Sequence, residues 1–506
     1  MSNRLMLRFF LGASLALSGC VREHNDPVDS GLGDDAFAEN DAGDTDAGEG
    51  ADGGVPDTCA EPARGSVIGA GSVTAGAANH YLLRGRVVSP DVVFAPGEVL
   101  ISGDRIVCVD TDCSSHSEAS DATVVETAGV IYPGIVDAHN HTQYNYLPIW
   151  VPNPPGLFQN RGDWAARNDY SDFTASVNDN ESAHVCQQVK YGELRALVGG
   201  TTTIQGTFNS NRRCFRTLVN NAEYGPFGTT DRMRTNITGV DAIDAMDATT
   251  ISGQMASGDV TAYVIHLGEG IDEESRAEFD TLVEKNLLAA QTVVIHGTAF
   301  GATEFAMMGA AGAKLVWSPF SNLLLYGGTT NVPAALDAGV SVSLAPDWTP
   351  SGSVSLLQEM RVARRHSCEN WDGRLTNEDL VKMVTSIPAH ALALDDQVGT
   401  LAPGLAADVL VIADRGGDAY AELVNAQMQD IRMVFLSGIP RYGDAALMAA
   451  TPRTACEAFS MCGSDKFICV PDNTDGTDTL NESLMSIQST IEMFYPGILP
   501  LEACEG

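Results

Sequence analysis

The stretch Val130-Ile-Tyr-Pro-Gly-Ile-Val-Asp-Ala-His-Asn-His141 decides how the rest of the chain is read. Ile131, Ile135 and Val136 form an apolar run expected to be a buried barrel strand, ending on His139 and His141 at i and i+2. Alternate residues of a strand share a face, so the two imidazoles would reach one point. A lone His-x-His is more often packing than chemistry; its weight here comes from three later stretches. Tyr263-Val-Ile-His-Leu-Gly-Glu269 puts His266 at a strand end with Glu269 three residues on. Val293-Val-Ile-His-Gly297 ends on His296, and Val340-Ser-Val-Ser-Leu-Ala-Pro-Asp347 ends on Asp347.

These stretches sit in a long alternation of strand-like and helix-like segments, from about 131 to 395, the pattern of parallel βα units. Strands are expected at Ile131–Val136, Thr201–Gln205, Ala262–Ile265, Thr292–Ile295, Lys314–Trp317 and Val340–Ala345. Helices are expected at Glu181–Val198, Glu273–Leu288, Ala302–Ala311, Val332–Ala338, Ser355–Arg365 and Asn377–Ser386. Two further strands between 207 and 259, where the pattern is weak, would complete a (β/α)8 barrel. In such a barrel the C-terminal ends of all strands share one rim, where the site is built.

On the N-terminal side, Tyr81–Val88, Glu98–Ile101 and Arg105–Val109 read as short strands, with a hairpin turn at Gly103-Asp104. Their sheet is incomplete by itself. Val398–Ile412 and Asp430–Ser437 are expected to return to it after the barrel.

The chain has 506 residues, 44% of them apolar, enough for a large core. Its formal charge of −37 leaves no basic stripe for nucleic acid or for an anionic lipid surface. Arg4, Arg8 and the short apolar run Phe9–Leu17 read as a targeting segment. Leu17-Ser18-Gly19-Cys20 looks like a bacterial lipobox, which implies an exported protein, lipid-anchored through Cys20 to a bacterial membrane, with Val21 pointing to the outer membrane or its periplasmic face. Residues 20–62, rich in Asp, Glu, Gly and Ala, are expected to be an extended tether. Ten further cysteines, none in a Cys-x-x-Cys pair, read as disulfides of an exported protein, with Cys108–Cys113 the one local pairing proposed. The expected organisation is a signal peptide at 1–19, the tether at 20–62, sheet segments at 63–130 and 396–445, the barrel at 131–395, and a Cys-bearing extension at 446–506.

Taken together, Pro133-Gly-Ile-Val-Asp-Ala-His-x-His141, Gly199-Gly-Thr-Thr202, His266-x-x-Glu269, Ser318-Pro-x-Ser-Asn322 and Val398-Gly-Thr-Leu-x-Pro-Gly-x-x-Ala-Asp408 resemble the amidohydrolase superfamily. The similarity is to its mononuclear branch of cytosine, guanine and S-adenosylhomocysteine deaminases and triazine hydrolases, and covers roughly 80 to 445. The resemblance implies an α/β fold, a (β/α)8 TIM-like barrel with a small β-sandwich domain made from the flanking segments. It also implies a metal-dependent hydrolase of a non-peptide C–N bond in a small molecule. Carried onto this chain, His139, His141, His266 and Asp347 would bind one divalent metal, zinc before Fe(II) or Mn(II). Such an ion can lower the pKa of its water from about 15.7 to about 7. Asp347 would accept that water's proton, Glu269 would act as general acid toward the leaving group, and His296 would polarise the electrophile. C–Cl or ester hydrolysis on the same site, and a non-catalytic ligand-binding lipoprotein, stand as alternatives; a homo-oligomer is left open.

A second metal would need a bridging Lys or Glu after the fourth strand. No lysine lies between Lys190 and Lys285, and Glu223 is the one glutamate between 207 and 259, in a turn-like context. The segment Ala345-Pro-Asp-Trp-Thr-Pro-Ser-Gly352 departs from the Gly-Thr-Asp pattern of the deaminases, and the loop after the first strand is long and aromatic. Tyr144, Trp150, Trp164 and Trp348 are therefore candidates to line a pocket for a planar substrate, with Arg161 facing an anionic group.

Overall fold

The computed structural model describes Cys59 and residues 64–89, 92–206, 218–223, 232–237, 239–451, 456–471 and 481–504. The targeting segment, Cys20 and nearly all of the acidic tether lie outside the described residues.

Eight parallel strands ring the site: β1 (Ile135–Asp137), β2 (Thr201–Ile204), β3 (Asn220–Asn221), β4 (Met233–Asn236), β5 (Ala262–Leu267), β6 (Thr292–His296), β7 (Lys314–Trp317) and β8 (Ser341–Leu344). Strands β4–β8 form one parallel sheet and β1–β3 another. Their apolar residues, such as Val264, Ile265, Val293 and Ile295, are fully buried because both sheet faces are covered. Two seams join the sheets. Between β8 and β1 the backbone of residues 383–384 fills the gap, Met383 O accepting from Leu344 N and Val384 O from Val136 N, each at 2.9 Å. At the rim of this seam Asn140 bridges Asp347, and His141 N donates to Asp347 O at 3.0 Å. Between β3 and β4 the Glu223 carboxylate accepts from Thr235 Oγ1 at 2.7 Å and Gln205 Nε2 at 3.0 Å.

Both flanks contribute to a single ten-stranded sheet. Ala77–Ser89, Val92–Ser102, Arg105–Asp110 and Ala122–Pro133 come from before the barrel, and Val409–Ala413, Ile431–Leu436 and Ile439–Asp444 from after it. Leu410 pairs with Tyr132 where the flanks meet, and Tyr81, Leu83, Val99, Val411, Met433 and Phe435 share one buried core. Gly103-Asp104 is the expected turn, between paired Ser102 and Arg105, and Cys108 is bonded to Cys113.

Several expectations need correction. Ile131–Val136 is not one strand: Ile131 belongs to the flanking sheet opposite Val411, and the barrel strand begins only at Ile135. The chain changes domain at Gly134, where a Cβ would lie 2.2 Å from Thr202 Oγ1. Asn377–Ser386 is not one helix; it divides into Asn377–Lys382 and Ser386–Ala391 because the intervening backbone serves the β8–β1 seam. The helix expected from Glu181 already begins at Asn168, and Ala245–Ser257 and Pro319–Tyr326 are helices without a counterpart in the sequence pattern. The sheet runs on past residue 445: the hairpin Glu457–Met461 and Ser464–Ile468 pairs with Ile439–Asp444. Disulfides Cys456–Cys469 and Cys462–Cys504 secure this extension, and Cys59–Cys368 ties the N-terminal side to the helix Leu356–Asn370. No helix among the described residues is long and apolar enough to cross a membrane.

Candidate active site

His139 and His141 lie beyond the end of β1, so strand alternation is not what brings them together. Asp137 does, with the β8 rim. Its carboxylate accepts from His139 N at 3.1 Å and Asn140 Nδ2 at 2.7 Å, while Asn145 Nδ2 donates to Asn140 Oδ1 at 2.7 Å. The two rings are thereby turned onto Asp347, whose Oδ1 lies 3.0 Å from His139 Nε2 and 3.5 Å from His141 Nε2. The other oxygen, Oδ2, accepts from Ser321 Oγ at 2.8 Å, and Ser321 pairs with Ser351 at 2.9 Å. Asp347 and His296 both hold left-handed backbone, φ +67° and +73°. For non-glycine residues that costs of order 1–3 kcal/mol, and here it aims both side chains into one point.

His266, at the end of β5, completes the cluster, its ring 4.7 Å from that of His139 and 5.4 Å from that of His141. Two overlapping sets emerge, His139–His141–Asp347 and His139–His266–His296, each with its potential ligand atoms within 4.8 Å of one another. The donors fit a divalent ion. Ligands of a tetrahedral zinc with bonds near 2.1 Å stand about 3.4 Å apart, comparable with the two His–Asp347 separations. His266 Nδ1 is buried without a hydrogen-bond partner. Burial pushes His139, His141 and His296 down to about 3 and His266 well below its ordinary value, so the imidazoles stay in the neutral, ligating form.

Glu269 stands beside this cluster. Its Oε1 accepts from Tyr326 OH at 2.9 Å, and its Oε2 faces Arg161 Nε at 3.6 Å and His296 Nε2 at 3.7 Å. Burial pushes its carboxyl up to about 8, against the opposing pull of Arg161. His296 also meets Asn322 Nδ2 through Nδ1, at 3.3 Å.

The aromatic residues divide into two groups. Trp348 packs on the ring of His141 at 5.3 Å and meets Tyr144 at 5.2 Å. Trp164 donates through Nε1 to Tyr326 OH at 2.8 Å, so it supports the residue that holds Glu269. Trp150 instead stacks on Phe158, as lid packing. Arg161, expected as an anion contact, donates to Ile237 O at 2.9 Å and faces Glu269, so its charge is directed at the acid. Glu223 is committed to the β3–β4 seam, and β4 ends on Asn236, away from any bridging role. Tyr326 and Asn145 were not singled out by the sequence, and Ser321 stood in the Ser318–Asn322 motif without a role of its own. Tyr326 is one helical turn beyond Asn322 of the Ser318–Asn322 motif, and that i, i+4 spacing is the signal that marks it.

The amidohydrolase family model matches residues 130–439. The chain belongs to the amidohydrolase family. It is a metal-dependent hydrolase acting on carbon–nitrogen bonds other than peptide bonds. Among curated relatives, it is 25% identical to the 5'-deoxyadenosine deaminase of Methanothermobacter thermautotrophicus over 65% of this chain and 84% of that one. A shorter match, 30% identical over 28% of this chain and 33% of the relative, is to guanine deaminase of Mus musculus. Among solved structures, an adenosine deaminase from Xanthomonas campestris with bound zinc superposes with a TM-score of 0.60 at 15% identity, covering 82% of this chain and 97% of that one. A triazine hydrolase variant superposes with a TM-score of 0.61 at 17% identity, covering 83% and 100%. At these identities the structural likeness speaks for the fold.

Proposed function

We propose that the chain deaminates an aminated, planar heteroaromatic small molecule, using one zinc ion held by His139, His141, His266 and Asp347. The observation that carries this is Glu269: a buried carboxyl pushed up to about 8, held by Tyr326, Arg161 and His296 beside the ligand cluster. Three neutral imidazoles and a carboxylate suit zinc better than Fe(II) or Mn(II). A single ion is favoured because β4 ends on Asn236 and Glu223 is held at its seam. When bound, the ion supplies the Lewis acidity that makes hydroxide available near neutral pH.

The remaining chemistry belongs to side chains. Asp347 takes the proton of the attacking water, its carboxylate kept in orientation by Ser321. Glu269, protonated at neutral pH, delivers a proton from its Oε2 side to the leaving nitrogen. Positive charge nearby lowers the acid's hold on that proton, so Glu269 can give it up. His296 polarises the electrophile as negative charge develops on the ring nitrogen next to the attacked carbon. Trp348 and Tyr144 offer faces for a flat ring beside His141. The deaminase names of the relatives support this substrate class.

Ammonia release from aminopurines, their nucleosides, aminotriazines and linear amides tests the assignment. Wild type should release ammonia from an aminated heteroaromatic ring, and Glu269→Gln should lose about 10²–10⁴-fold in turnover with its metal retained. Release from linear amides alone, or chloride from a chlorotriazine with no ammonia, would contradict deamination. Tight binding with no turnover by either protein would favour the ligand-binding alternative.

We also infer that the enzyme is exported and lipid-anchored at Cys20. The lipobox-like Leu17–Cys20 and the disulfides support this, since such bonds persist in oxidising compartments. Cys20→Ala should shift the protein from the membrane to the soluble fraction; unchanged membrane association would refute the anchor.

A further inference from the structure

The C-terminal segment ends against the back of the catalytic loop, and one buried arginine connects them. Arg195, on the long helix Asn168–Val198, is only 2% exposed. Its Nε donates to Asn145 O at 2.9 Å, and its Nη2 donates to Leu499 O at 2.7 Å and Pro500 O at 2.9 Å. Nη1 is buried without a partner, and no carboxylate among the described residues pairs with the guanidinium. Burying a charge in this way is costly, so mere adhesion of the tail would be served better by an apolar side chain. The guanidinium does what an apolar side chain cannot: it ties two backbone segments together with directed bonds.

Asn145 is placed where that tie matters. Its Nδ2 donates to Asn140 Oδ1 at 2.7 Å, between the two rim histidines, and its Oδ1 accepts from Thr349 N at 3.1 Å, two residues after Asp347. One side chain thus spans the loops that carry His139, His141 and Asp347. The tail grips the same loop a second time, Leu499 N donating to Tyr146 O at 2.8 Å. It is itself held by Tyr191 OH, which donates to Leu499 O at 2.6 Å, by buried Ile498 and Leu501, and by the Cys462–Cys504 disulfide.

We propose that Arg195 is a positioning residue which, braced by the C-terminal segment 498–501, fixes Asn145 and so sets the spacing between the His139–His141 loop and Asp347. The inference rests on the ligand set proposed above. It makes the tail part of the metal site without touching it, through a chain of contacts from Leu499 and Pro500 to Arg195, Asn145, Asn140 and Thr349.

The test is zinc affinity, measured on the full-length protein by competition with a chromophoric chelator at 25 °C, alongside thermal melting. Arg195→Met and Asn145→Ala should each weaken zinc binding by about 10–100-fold, the usual cost of losing an outer-shell partner of a ligand. The double variant should be little worse than either single one, because both cut the same chain. Tyr191→Phe, which removes one hold on the tail and leaves the Arg195–Asn145 bond in place, should lower the melting temperature and weaken zinc binding by less than Arg195→Met does. If Arg195→Met fails to fold, Arg195→Lys, which keeps the charge and loses the fork, carries the test and should still weaken zinc. Zinc affinity unchanged in a folded Arg195 variant, or additive losses in the double variant, would overturn the proposal. Wild type that binds no zinc, or His139→Ala that binds it equally well, would instead overturn the ligand set and the inference with it.

Discussion

Strands β4–β8 form one continuous five-stranded parallel sheet, whereas β1–β3 form a separate three-stranded one whose members are two to four residues long. The two halves supply the same rim by different means. In the long half, His266 and His296 close apolar runs, and the ladder itself delivers them. In the short half the ladder stops at Asp137, and His139 and His141 are placed by a chain of side chains: Asp137, Asn140, Asn145 and, behind them, Arg195. Regular pairing suffices where strands are long. Where they are short, hydrogen-bonded side chains take over, and the site becomes sensitive to residues that touch no substrate.

This contrast can be broken in stages. The largest effect is expected from removing one ligand of each half. His139→Ala and His266→Ala should both lose zinc by more than the about 10–100-fold typical of an outer-shell partner, measured by elemental analysis after dialysis. Retention of a full equivalent in either would separate the halves. A smaller effect is expected on stability. Gly134→Ala forces a Cβ to within 2.2 Å of Thr202 Oγ1, at the start of the short half, and should cost about 1–3 kcal/mol in denaturant unfolding. Ile265→Val, inside the long half, should cost only about 0.5–1.5 kcal/mol. A reversed order would mean that the short half tolerates displacement.

A further expected effect concerns pH. Glu359, buried behind the β8 rim, accepts from Phe320 N at 3.0 Å and from Ser353 Oγ, and burial pushes its carboxyl up to about 8. The folded protein keeps this proton where the unfolded chain, near the ordinary value of 4.5, has released it. Stability from this group is therefore full below the unfolded value and is lost as pH rises toward about 8. Glu359→Gln cannot ionise, so its melting temperature should gain on that of wild type between about pH 5 and pH 8 and hold its lead above. A constant difference across that range would refute the assignment.

The same contrast explains what could be seen in the sequence. Val264–His266, Val293–His296 and Leu315–Trp317 are continuous buried runs, and a parallel sheet writes itself plainly in such runs. Asn220-Asn221 and Met233-Arg-Thr-Asn236 are polar and short, and they are strands only because their neighbours make them so. The break at Gly134 leaves no mark in hydropathy, since Ile131 and Ile135 are both fully buried, one in each domain. The clustered side chains of the candidate site, His139, His141, His266, Glu269, His296 and Asp347, could be picked out because each ends an apolar run or follows it closely. Asn145 and Arg195 could not, because Thr349, Leu499 and Pro500, which give them their roles, lie far away along the chain. Arg195 meets Leu499 and Pro500, a contact between segments some three hundred residues apart that no local pattern encodes.

The central claim is that four side chains from both halves share one ion. Crystals of the zinc-loaded enzyme, with anomalous data on both sides of the zinc absorption edge, test it most directly. A single anomalous peak is expected about 2.0–2.2 Å from nitrogen atoms of His139, His141 and His266 and an oxygen of Asp347. A peak held by His139, His266 and His296 without Asp347, or two peaks on the rim, would contradict it.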